Sequence, residues 1–114
     1  MESIGTAREG VYAMSWLVLF FAGALEISWA VGLRVHNGRP LLIGLTVITA
    51  ISSVVLLGVA MKQIPIGTAY AVWTGIGITG TFIAGALLGD PVTASKCLYT
   101  ALILAGIVGL KLSS

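Results

Sequence analysis

Four long apolar segments, separated by short polar connections, dominate this sequence and leave few folds open to it. These segments cover approximately residues 15–33, 41–61, 67–88 and 96–111. A helix of roughly 20 apolar residues is long enough to cross the hydrocarbon core of a bilayer. Because backbone polar groups find no water partners in lipid, each segment is predicted to be a transmembrane helix. The predicted fold class is therefore an all-α membrane protein with four transmembrane helices per subunit.

The composition supports one membrane domain and no soluble one. Of the 114 residues, 58% are hydrophobic and 9% are charged, whereas soluble domains are about 25% charged. Turn-forming residues separate the apolar segments, so residues 15–114 are predicted to form a single transmembrane domain. Residues 1–14 carry charges and are predicted to be a flexible extension, with Met14 as an alternative start.

Several function classes are unlikely on composition and motifs. The six basic residues are scattered and the net charge is only +2, so we expect no nucleic acid binding. Cys97 is the single cysteine; it has no partner for a disulfide and no His/Cys cluster for a metal, and is predicted to be a helix-packing residue. The sequence also has no nucleophile with a base and no cofactor loop, so we expect neither an enzyme nor a bound cofactor.

The loop charges predict no preferred orientation in the membrane. With four spans, three basic residues fall on each side: Arg8, Lys62 and Lys111 on one, Arg34, Arg39 and Lys96 on the other. Orientation follows the bias of basic residues, and this bias is zero. A chain that inserts both ways can form an antiparallel, dual-topology homodimer, equivalent to an inverted-repeat transporter.

The fourth segment offers a surface for such a dimer. Ala101, Ala105 and Gly109 recur every fourth residue and form a stripe of small side chains. Stripes of this kind let two helix backbones approach closely in a membrane. We expect this stripe to be the dimer seam, with packing inside one subunit as the alternative.

Glu26 is the only acidic residue within a predicted span. An ionised carboxylate near the bilayer midplane costs at least about 2.5 kcal/mol, and such residues usually have a functional role. Loss of water favours the protonated form, whereas a bound cation favours the anion. Protons and a cation would therefore compete for one group, which is sufficient to couple proton entry to cation export. A structural partner for a buried base is the alternative, but no basic residue lies in the interior of a span.

Four further residues are candidates for the same site. Trp29 follows Glu26 by three residues and shares its helix face. Tyr70 and Trp73 are also three apart, although the depth of Tyr70 suits an ordinary interfacial aromatic nearly as well. Ser53 is a polar group of the second span, where a hydroxyl can equally well bond the carbonyl four residues back.

Three motifs carry a resemblance to a known family: GALEISWAVGLR at 23–34, PIGTAYAVWTGIG at 65–77 and GIVGLK at 106–111. They resemble the small multidrug resistance family and, within it, the guanidinium exporter subtype. Members of that family are four-helix, proton-coupled exporters of the inner membrane that work as antiparallel dimers. The tryptophan at 29 is informative, because the multidrug branch typically has a small residue there.

The resemblance implies a role for each candidate. Glu26 would bind protons and guanidinium, while Trp29 and Ser53 would be hydrogen-bond partners that orient its carboxylate. Tyr70 and Trp73 would line the cavity, with Tyr70 also acting as a gate. The expected function is proton-coupled guanidinium export by alternating access. The alternatives are a quaternary ammonium exporter of the same family and a non-transporting accessory of a membrane complex.

Overall fold

Four helices make up the part of the chain that the computed structural model describes, residues 2–113 with side chains from Arg8 onward. They are α1 (Glu2–Val35), α2 (Pro40–Ala60), α3 (Ile66–Leu87) and α4 (Ala94–Ser113). Each helix is long and apolar enough to cross a membrane. The all-helical fold class, with four helices apolar enough to span a membrane, is confirmed.

Turn residues end the helices where the sequence places them. After α1, Asn37 and Gly38 adopt positive φ angles of 49° and 74°, and the Nδ1 atom of His36 accepts a 2.9 Å hydrogen bond from the Gly38 N–H. Pro40 then opens α2, at the position where a helix needs no N–H donor. Gly89, with a φ of 103°, follows α3. Asparagine and glycine tolerate this left-handed backbone, so the connections stay short.

The start of α1 differs from the predicted span. Residues 2–14, predicted as a separate extension, continue α1 as a helix, and Met1 lies outside the described residues. No proline occurs in this stretch, and extending an existing helix is easier than nucleating one. The flexibility of the extension stays a prediction.

The helices pack in an open arrangement. α1 packs against both α2 and α3, and α4 packs along α3. No described residue of α4 is buried, and Ala101, Ala105 and Gly109 are all exposed. Cys97 is exposed as well, so the prediction that it packs against a helix is wrong within the subunit, because α4 touches its neighbours on other faces.

Polar contacts link the helix ends on each side of the membrane. The Arg34 guanidinium donates to both carboxylate oxygens of Asp90, at 2.7 and 2.8 Å, and joins the end of α1 to the connection before α4. At the opposite end, the Lys111 Nζ lies 5.0 Å from the ring centroid of Trp16. Among residues 8–113 the Arg34–Asp90 contact is the one ion pair, so no described base neutralises Glu26.

Candidate functional site

The site lies where α1 and α3 pack closely against each other. Glycines make this approach possible: a Cβ atom added at Gly23 would lie 2.7 Å from Ile76 Cγ2, and one added at Gly80 would overlap Ile27. Gly77 lies against the Glu26 carboxyl group in the same way, and its Cβ would stand 3.0 Å from Glu26 Cγ and closer still to the carboxylate. The carboxylate of α1 therefore occupies space that any side chain at position 77 would fill.

Glu26 is half-buried, and its Oε2 atom is buried without a hydrogen-bond partner among the described residues. Buried polar groups in folded proteins nearly always have a partner, because an unpaired one loses its hydration without compensation. A carboxylate oxygen can be satisfied by a proton or by a donor on a cation. The geometry of Glu26 therefore suits a group that binds an exchangeable ligand.

Ser53 and Trp73 form a buried link across three helices. The fully buried Ser53 hydroxyl on α2 donates to the Ala22 carbonyl of α1 at 2.7 Å. It also accepts a 2.9 Å hydrogen bond from Trp73 Nε1 of α3. The role that the resemblance implies for Ser53, as a hydrogen-bond partner that orients Glu26, stays a prediction. In this structure the Ser53 hydroxyl holds Trp73 and the helical turn that leads into Glu26.

The exposed ring of Tyr70 packs against the buried ring of Trp73. Its ring centroid lies 5.5 Å from that of Trp73, with the planes tilted by 50°. Trp73 is 8% exposed, whereas Tyr70 is 54% exposed. The buried Trp73 ring is thus held by Ser53, and the more exposed Tyr70 ring lies against it; the role of Tyr70 as a gate stays a prediction.

Trp29 lies one turn after Glu26 on α1 and is half-buried. Its Nε1 atom is buried and has no hydrogen-bond acceptor in the described part of the chain. An indole N–H is only a donor, so it needs an acceptor such as a carboxylate. The structure therefore leaves Trp29 free to donate toward a group such as Glu26, and its role in the site stays a prediction.

Two features of the site were not predicted from the sequence. These are the carbonyl of Ala22 as an acceptor and the contact of Gly77 with Glu26. Both depend on how the helices are juxtaposed, which hydropathy does not encode. The glycine-rich segment 75–80 was the available signal for close packing on α3.

Together, four apolar helices and an intramembrane carboxylate without a basic partner among residues 8–113 are typical of one class of protein, the small membrane transporter. The chain belongs to the Small Multidrug Resistance protein family, whose model matches residues 14–103. It is a multi-pass protein of the inner membrane.

Several proteins with similar sequences are named as guanidinium exporters. A guanidinium exporter of Yersinia pseudotuberculosis is 50% identical over 104 residues, which are 89% of this chain and 100% of the relative. Guanidinium exporters of Salmonella typhimurium strain LT2 and Citrobacter freundii are each 48% identical, over 89% of this chain and 99% of the relative. The resemblance drawn from the three motifs is confirmed, and these relatives are named as exporters and not as enzymes.

Proposed function

We propose that this protein exports guanidinium across the membrane in exchange for protons. One observation carries the proposal: the Glu26 carboxyl group is held between α1 and α3, with Oε2 buried and without a partner in the described part of the chain. Since no described base pairs with it, the group is available to a ligand that arrives and leaves. The relatives named as guanidinium exporters, at about half identity along nearly their whole length, support the choice of cation.

The chemistry of guanidinium suits a lone carboxylate. The ion is planar and always charged, and it presents parallel N–H donors that match the two oxygens of a carboxylate. Trp29 fills space one turn from Glu26, which favours a small cation over a bulky one. A quaternary ammonium ion has no N–H donor and would leave Glu26 Oε2 without a hydrogen bond.

Exchange follows from competition at one group. A proton and a guanidinium ion each neutralise Glu26, and neither can bind well while the other is present. If the site opens to one side of the membrane at a time, inward movement of protons drives outward movement of guanidinium. The rigid Ser53–Trp73 link and the exposed Tyr70 ring supply a fixed wall and a candidate gate for this alternating access.

An antiparallel homodimer completes the proposal. The stripe of Ala101, Ala105 and Gly109 faces away from the rest of the subunit, and a Cβ atom added at Gly109 would meet nothing within 4 Å. Small residues on an uncovered helix face favour close helix pairing in membranes. The balanced loop charges favour both orientations, so a second Glu26 would enter the cavity from the opposite side.

Transport in liposomes tests the proposal. We expect a proton gradient to drive guanidinium through the purified protein in the direction opposite to the protons. Protein-free liposomes should show no transport. A quaternary ammonium ion such as tetraethylammonium is expected to give a far smaller signal. Robust tetraethylammonium transport without a guanidinium response would favour the multidrug alternative, and no transport of either ion would favour an accessory role.

A further inference from the structure

The hydroxyl of Thr74 on α3 is buried and has no hydrogen-bond partner among residues 8–113. Other threonines of the same helix satisfy their hydroxyls locally: Thr79 donates to the Gly75 carbonyl at 2.8 Å, and Thr81 to the Gly77 carbonyl at 2.7 Å. This back-bonding is the usual solution for threonine inside a helix. Thr74 does not use it, so its hydroxyl remains available to a partner outside the helix.

Helix geometry places Thr74 beside the site. At 100° per residue, Tyr70 and Gly77 lie within about 20° of each other on α3. Trp73 and Thr74 lie on opposite sides of the helix face that Tyr70 and Gly77 share, at about 40° and 60° from Gly77. Since Gly77 contacts the Glu26 carboxyl group, Thr74 lies one turn away on the side opposite the anchored Trp73.

Two other positions of α3 show where the neighbouring helices of the subunit pack. Ile76, about 100° away from Gly77 on the Trp73 side, packs against Gly23 of α1. Gly75, about 160° from Gly77, packs against Ile107 of α4. Thr74 lies about 60° from Gly77 and about 40° from Tyr70, away from both of these contact positions, and its hydroxyl is buried.

A count of donors and acceptors indicates what Thr74 would bind. Guanidinium has N–H donors on all three nitrogens and no acceptor, and a bidentate carboxylate uses donors on only one side of the ion. Donors left buried without acceptors would weaken binding. Trp29 Nε1 cannot help, because it is itself a donor, whereas a hydroxyl oxygen offers two lone pairs.

We infer that Thr74 is a further substrate-binding residue, whose hydroxyl oxygen accepts a hydrogen bond from the guanidinium ion held by Glu26. The inference rests on the proposed function and deepens it. It also makes Thr74 a determinant of selectivity, since a cation without N–H donors gains nothing from this hydroxyl.

The Thr74→Val variant tests the inference, because valine has nearly the same shape and lacks the hydroxyl. We expect its guanidinium dissociation constant, measured by calorimetry on the purified dimer, to rise about tenfold. Thr74→Ser restores the hydroxyl and is expected to bind within about twofold of the wild type. Thr79→Val is the matched control, because its hydroxyl is satisfied within α3.

Three outcomes would overturn the inference. Unchanged binding by Thr74→Val would remove Thr74 from the site while leaving the proposed function intact. Light scattering measures whether the variant remains a dimer. If binding weakens only when the dimer dissociates, Thr74 is an interface residue and not a substrate-binding one. No guanidinium binding by the wild type would end the proposed function itself, and the inference with it.

Discussion

Replacing Glu26 by glutamine is expected to abolish guanidinium transport and leave the protein folded. Glutamine has nearly the same shape, but it carries no charge and cannot release a proton. Each hydrogen bond to a charged group contributes about 1.5–3 kcal/mol, so loss of a bidentate pair should weaken guanidinium binding by roughly two to four orders of magnitude. Proton-coupled currents in liposomes and calorimetry on the same preparation measure the two effects.

Glu9→Gln is the matched control for this variant. It makes the same substitution on the same helix at an exposed position, so transport should stay at the wild-type level. The Glu26→Gln protein should melt at or above the wild-type temperature, because a desolvated carboxyl group is replaced by a neutral amide. Guanidinium currents that persist in Glu26→Gln would remove Glu26 from the centre of the mechanism.

Gly77→Ala is expected to have the second largest effect. The added methyl group would overlap the Glu26 carboxylate and stand 3.0 Å from Glu26 Cγ, so the carboxyl group must leave the seam between α1 and α3. Overpacking of this kind typically costs about 1–3 kcal/mol. If this cost destabilises the guanidinium-bound state, guanidinium affinity and transport should fall roughly 5- to 150-fold.

Gly44→Ala controls for the change from glycine to alanine in a helix. A Cβ atom at position 44 would meet nothing within 4 Å, so the substitution adds helix propensity without a clash. Its transport rate should match the wild type in the same liposome assay. Wild-type transport by Gly77→Ala would show that the position of the Glu26 side chain against α3 is unimportant.

The number and position of the helices followed from the sequence because hydropathy and turn residues act locally. Pro40 and the residue pair Asn37–Gly38 end one span and start the next without reference to the rest of the fold. The start of α1 differed from the predicted start of the first span. Residues 2–14 lack the apolar character that marks a span, yet they contain no proline to stop a helix. Hydropathy predicts membrane crossing, and helix propagation obeys other rules.

The candidate site was predictable only in part, for a related reason. Glu26 stood out because a carboxylate in an apolar segment is costly whatever surrounds it. The partner of Ser53 could not be read from the chain, because it depends on the rotation of α2 against α1 and on the choice of the Ala22 carbonyl as acceptor. Thr74 could not be singled out from the sequence either, because a sequence does not show which hydroxyls are buried without a hydrogen-bond partner.

Proton release on guanidinium binding tests most directly the claim that the two ligands compete for Glu26. Guanidinium is added to the purified protein in weakly buffered detergent solution, over a series of starting pH values, and the pH change is recorded beside the heat of binding. We expect guanidinium to displace protons from the wild type and to displace none from Glu26→Gln. Guanidinium binding without proton release at any pH would contradict competition at Glu26.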